Sequence, residues 1–142
     1  MAVITDIADA VVAELNATSF SQAFTAERAY LPVFELADLK NVRVTVVPKG
    51  VSITPGNRSN NQHDCAIDVA VQKKLDAADN AEIDALVSLV DEIGDHFRFR
   101  RLDSYPNAVW TRTENEPVYS QEHLDQFRQF TGLLTLTFRV MR

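Results

Sequence analysis

Glycine is scarce in this chain. It occurs four times in 142 residues, at Gly50, Gly56, Gly94 and Gly132. No glycine-rich phosphate loop of the Walker or Rossmann kind can be assembled from that set, and no Gly-x-Ser-x-Gly elbow occurs. The single cysteine, Cys65, cannot close an intrachain disulfide, so the chain fits a reducing compartment. There is no run of about 18 apolar residues, so no membrane span is expected. The opening stretch MAVITDIADAVVAEL carries Asp6, Asp9 and Glu14 with no basic start, unlike a signal or transit peptide. Basic residues are outnumbered, 14 against 20, for a formal charge of −6. That balance argues against a general nucleic-acid binder, which needs clustered Lys and Arg to neutralise phosphates. It does not exclude a protein that nucleic acid must pass without sticking.

What is present is enough for one domain spanning 1–142, with 46% hydrophobic residues to supply its core. Ile4, Ile7, Ala8, Val11, Val12 and Leu15 recur at helical spacing and predict a helix near 4–17, with Asp6, Asp9 and Glu14 off the apolar face. Residues 20–30 alternate and predict a strand, interrupted at Pro32, with 33–39 as a short bridge. Residues 41–47 form a β-branched strand, closed by Pro48, Lys49 and Gly50. Residues 51–62 are rich in Pro, Gly, Asn and Ser, too long for a tight hairpin, and predict a protruding loop.

Alternation resumes from His63 to Lys73. Cys65, Ile67, Val69 and Val71 share one face; Asp64, Ala66, Asp68, Ala70 and Gln72 share the other. A second helix is expected over 81–97, with Asn80 or Asp79 as its N-cap. A strand follows at 107–113, then a helical turn at 121–127 and a last strand over 130–140. In that strand Leu134, Leu136, Phe138 and Val140 face one way; Leu133, Thr135, Thr137 and Arg139 face the other. The order predicts an α+β fold: a mostly antiparallel sheet of about five strands with two amphipathic helices packed on one face.

Dense catalytic constellations are missing. His63 and Cys65 share a strand face, but a zinc site needs three or four ligands, and His96 and His123 have no matching spacing. Both are read as structural. Asp64 and Asp68 lie roughly 13 Å apart along the strand, beyond the usual separation of a glycosidase pair. They are read as a solvated or subunit-facing surface, together with Arg139. The basic run Arg98, Arg100, Arg101 closes a helix C-terminus, where cations are favoured. Trp110 fits core and interface equally. No catalytic residue, metal or cofactor is expected, and a small enzymatic or ligand-binding domain is the less favoured alternative.

Several short stretches, in this order, carry a resemblance: RAYLP at 28–32, FELADL at 34–39, VRVTVVP at 42–48, IDVAVQKK at 67–74, IDALVSLVDEI at 83–93 and TLTFRV at 135–140. The chain resembles the small tail-terminator and tail-completion proteins of tailed bacteriophages and prophages. The resemblance implies a virion protein of the tail or neck, assembled in the host bacterial cytoplasm. It implies a homo-oligomeric ring, typically a hexamer. The ring caps the tail tube protein, ends its polymerisation and offers a docking face to the head-tail connector. DNA passes through the lumen without specific binding. Such proteins have no active site, so no catalytic residue carries over. Another neck or connector component is the alternative. An acidic lumen, as a ring of such chains would have, lets DNA slide. The loop residues Thr54, Pro55, Gly56, Asn57, Arg58, Ser59, Asn60 and Asn61 are the candidate interface with tube or connector. Asp64, Asp68 and Arg139 are the candidate lumen- or subunit-facing residues.

Overall fold

A computed structural model describes residues 2–30, 41–75, 79–116 and 118–142. The chain runs α1 (Val3–Ala17), β1 (Ala26–Arg28), β2 (Arg43–Pro55), β3 (Asn61–Lys74), α2 (Asn80–Phe97), β4 (Arg101–Leu102), β5 (Tyr105–Asn115), α3 (Gln121–Phe127) and β6 (Gln129–Met141). The strands form one six-stranded sheet, ordered β1-β2-β3-β6-β5-β4. Every pairing is antiparallel except the short β1–β2 contact. The α+β architecture expected from the sequence is the one observed. The short strand β4, which was not expected, takes the count from five to six. The expected bridge at 33–39 lies outside the described residues.

β3 and β6 are the spine, in unbroken register from Gln62 opposite Met141 to Lys74 opposite Gln129. Their alternation separates the faces as the sequence predicts. Cys65, Ile67, Val69, Val71, Leu134, Leu136, Phe138 and Val140 are all buried on one face. α1 brings Ile7, Val11 and Leu15 into the same core, and α2 brings Leu86, Leu89, Val90, Ile93 and Phe97. Each such large apolar side chain contributes about 1.5–3 kcal/mol on leaving water. The N-cap of α2 is Asp79, not Asn80: the Asp79 carboxylate accepts the Glu82 N–H at 2.9 Å. α3 starts at Ser120, whose hydroxyl accepts the His123 N–H. It packs beside β6.

Glu14 is not on the solvent side of α1. It is buried, with 4% of its surface exposed, because it follows Ile7 by seven residues and Val11 by three, which returns it to the apolar face. There its carboxylate accepts the Asp103 N–H at 2.8 Å and lies 3.0 Å from His96 Nε2. One side chain thus ties α1 to α2 and to the turn before β5. The polar face of β3 is also less uniform than its alternation implies. Ala70 and Gln72 are buried there, and neither polar atom of the Gln72 amide has a partner.

The strand expected over 20–30 shrinks to Ala26–Arg28. Side chains take the place of a ladder. The Asn16 amide donates to the Ala26 carbonyl at 3.2 Å and accepts its N–H at 2.8 Å. Glu92 accepts the Ser21 N–H and hydroxyl. Phe20 and Phe24 stack on each other, centroids 5.5 Å apart, and pack on the core.

The other correction concerns 48–62. The strand predicted to close at Pro48 continues to Pro55, with a register shift between Pro48 and Gly50. The predicted long loop is a hairpin arm. Its strands stay paired from Val51 opposite Cys65 to Pro55 opposite Asn61, and only the tip is a turn. Asn57 closes that tip: its side-chain oxygen accepts the N–H groups of Ser59 and Asn60 at 2.8 and 2.9 Å.

Candidate assembly surface

The sheet turns one face to the helices. On the other, β3 and β6 bring Asp64, Asp68 and Arg139 together as the alternation requires. Arg139 Nε donates to Asp64 Oδ1 at 2.9 Å, and its Nη2 reaches Oδ2 at 3.4 Å. These hydrogen bonds hold the guanidinium charged, with its pKa raised above the ordinary arginine value. Asp68 accepts the Thr135 hydroxyl at 2.7 Å and lies 4.0 Å from Lys49 Nζ. The two carboxylates therefore have separate partners.

Around them lies an open trough of about 700 Å³, lined by Lys49, Ser52, Asp64, Arg112, Thr137 and Arg139. Lys49 and Arg112 were not singled out in the sequence. Lys49 sits at the register shift and Arg112 at a second shift, between Trp110 and Arg112 on β5. Irregularities of this kind move side chains out of strict alternation, so periodicity gave no signal for either. A second open hollow, about 640 Å³, lies between the 22–25 segment and the starts of β1 and β2. Among the described residues, no group of three or more His, Cys, Asp or Glu is placed to hold a metal ion. No described helix is long and apolar enough to cross a membrane.

The predicted loop residues Thr54, Pro55, Gly56, Asn57, Arg58, Ser59, Asn60 and Asn61 are all exposed and form the end of the arm. Behind them Val51 and Ile53 are exposed too, by 45% and 57%. Both fall within the protruding loop expected over 51–62, but outside the candidate interface, which begins at Thr54. Met141 lies against the tip: a Cβ on Gly56 would collide with its methyl group, which confines that position to glycine unless Met141 moves. Arg142 and Asn61 exchange both main-chain hydrogen bonds beside the turn at the arm's tip, at 2.9 and 2.6 Å.

The other residues singled out have structural roles. Cys65 is fully buried, and burial, then the neighbouring Asp64 charge, pushes its thiol pKa up. Arg98 caps the end of α2 and pairs with Asp95 at 3.9 Å. Trp110 is partly buried against the core. Its indole N–H donates to Thr113 Oγ1 at 2.7 Å, and the exposed Phe99 ring meets it edge-on at 5.2 Å.

No family model matches the sequence, and no curated protein matches it significantly. The fold does have a counterpart. It is similar, with a TM-score of 0.64, to a chain in the solved structure of the virion of a native gene transfer agent (GTA) particle; the match covers 99% of this chain and 98% of that one at 15% identity. At that identity the likeness is one of fold, and it takes in the whole sheet, the hairpin arm and the helices.

Proposed function

We propose that this chain is a structural protein of a phage-like virion, and that it acts as the tail terminator. It forms a homo-oligomeric ring that caps the tail tube, ends tube polymerisation and offers a docking face to the head connector. The observation that carries this reading is the fold match to a virion chain over nearly the full length of both proteins. The order of stretches such as VRVTVVP and TLTFRV supports the narrower assignment. In this role the protein is not an enzyme and needs no cofactor. DNA passes through the ring, and a formal charge of −6 per chain suits a conduit that does not hold its cargo. The arm tip at 54–61 meets tube or connector. Asp64, Asp68 and Arg139 face the lumen or the neighbouring subunit, where the pairing of Arg139 with Asp64 and of Lys49 with Asp68 keeps the polar face close to neutral.

The test is removal of the gene from a particle-producing host, followed by electron microscopy. Tails of uncontrolled length, unjoined to heads, are expected. Tails of normal length that fail to join heads would move the protein to another neck component. Normal, infectious or transducing particles would overturn the virion reading. Deleting 55–60 asks about the tip alone: normal tail length and head joining would remove it from the interface.

A further inference from the structure

The main-chain hydrogen bonds of the arm determine which way its edge faces. In an antiparallel ladder, residue pairs alternate between those that exchange both N–H···O bonds and those that exchange none. Asn61 exchanges both of its bonds with Arg142, on the β6 side. Its pairing with Pro55 on β2 is therefore of the non-bonded kind. The register back along the arm is unbroken, so Ile53 opposite His63 and Val51 opposite Cys65 are non-bonded as well. The N–H and C=O groups of Val51 and Ile53 thus point away from β3, to the outer edge of the sheet. β1 covers that edge only at Val44, Thr45 and Val46. Beyond Val46, no described residue pairs with it. An extended edge whose donors and acceptors have no partner among the described residues, flanked by exposed β-branched side chains, is a template for another strand.

The far end of the sheet is open in the same way. Trp110 donates outward to the Arg100 carbonyl at 3.2 Å. After the register shift, Arg112 and Glu114 sit opposite Thr137 and Thr135, which face β5, while Thr113 and Asn115 sit opposite Leu136 and Leu134, which face β3. Thr113 and Asn115 therefore present their main-chain groups outward. β4 pairs with β5 only through Arg101 and Leu102.

Charge identifies the occupant. Between Pro48 and Asn61 the arm carries Lys49 and Arg58 and no carboxylate, in a chain of net charge −6. Beside Thr113 and Asn115 the exposed charges are Asp91, Asp95, Glu114 and Glu116 against Arg98 and Arg112, while the exposed Arg100 and Arg101 lie further back along β5, beside Trp110 and Val109. Asp95 pairs with Arg98, and Glu114 with Arg112, which leaves that end acidic. We infer that the β2 edge at Val51 and Ile53 adds to the β5 edge at Thr113 and Asn115 of a second copy of this chain. Strand directions alternate from β2 through β3 and β6 to β5, so the joint is antiparallel like the rest of the sheet. One surface meets a different one, the heterologous arrangement that closes into a ring. The inference rests on the ring reading for closure, and it names the segment that makes the contact.

The test uses the full chain. Thr54→Cys and Glu114→Cys are combined in one protein and treated with a short bifunctional thiol reagent. Buried Cys65 contributes no background. A ladder of covalent dimers, trimers and higher species is expected from the double variant, and none from either single variant. In parallel, Val51→Pro removes an outward N–H that β3 does not use, so the melting curve is retained. Light scattering is expected to show assembly shifted to at least about tenfold higher concentration. Ile53→Lys, at an exposed side chain, gives the same shift without altering the backbone. Assembly with no ladder and no effect of either substitution overturns the edge contact and leaves the ring intact. A dimer from Thr54→Cys alone overturns it in favour of a symmetric β2–β2 contact. A single-chain mass at every concentration, and with tail tubes added, removes both edge and ring.

Discussion

β2 is one strand in two environments. Its first half carries Val44 and Val46, fully buried between β1 and β3 and under the helices; its second half carries Val51 and Ile53, about half exposed. The residue types and the alternation are the same. What differs is the number of neighbours that the fold supplies. In the body β2, β3 and β6 have partners on both edges, and the helices cover one face. In the arm, β2 has β3 alone among the described residues, and main-chain hydrogen bonds worth about 1 kcal/mol each hold its conformation. Burial stabilises the body, whereas the arm is extended, with its outer edge unpaired by any described residue. That division suits the ring subunit proposed above, with a rigid body and a projecting element to reach the next copy.

The comparison predicts where substitutions hurt. The largest effect is expected at Glu14, the polar joint of the body. Glu14→Ala leaves the part-buried Asp103 N–H and His96 Nε2 without the carboxylate that bonds both. A loss of about 3–5 kcal/mol in urea unfolding is expected. Glu14→Gln keeps an acceptor for the Asp103 N–H and costs less. Equal losses for the two would mean that the carboxylate is not the joint.

Next comes a matched pair of isoleucines. Ile67 on β3 is 0% exposed and Ile53 on the arm 57%. Ile67→Ala is expected to cost about 2–5 kcal/mol through lost burial and an unfilled cavity. Ile53→Ala is expected to stay within about 0.5 kcal/mol in the dissociated protein. A large loss at Ile53 would mean that the arm is packed in solution, and the contrast between the halves would collapse.

The sequence made the body legible because the body obeys single-period rules. Both long helices and the faces of β3 and β6 follow directly from apolar spacing. Glu14 was legible in principle, lying i+7 from Ile7 and i+3 from Val11, yet its charge argued for solvent. The arm was misread for a physical reason. Pro48, Gly50, Pro55 and Gly56 look like terminators, but a proline on an outer edge forfeits no ladder bond. Which edge faces outward is a tertiary fact that periodicity does not contain. Asp64 and Asp68 were rightly put on one face. Their partners Thr135 and Arg139 were placed there too, because β6 alternates as cleanly as β3. Residues 20–30 failed because Asn16 and Glu92, distant in sequence, take the main-chain bonds that a neighbouring strand would have taken.

A smaller effect is expected at the root of the arm. Arg139 and Asp64 are paired but partly exposed, 44% and 27% of their side chains. Solvent and salt screen such pairs strongly. Arg139→Leu is expected to lower the melting temperature slightly at low salt and not at all near about 1 M salt, where the Debye length is about 3 Å. A salt-independent loss would show that Arg139 packs rather than pairs.

The smallest free energies are expected within the arm itself, and they bear most directly on its edge. In protein diluted until dissociated, the Val51 and Ile53 amides have no acceptor in the ladder, so their exchange with solvent deuterium should be unprotected, with opening free energies near zero. Ser52 and Thr54, opposite Asp64 and Gln62, donate to β3 and should exchange more slowly. The alternation should then disappear on assembly, as the outward amides gain acceptors from the neighbouring copy. Protection at Val51 and Ile53 before assembly would place their N–H groups on β3, reverse the assignment of the edge and leave the arm nothing to offer a second strand.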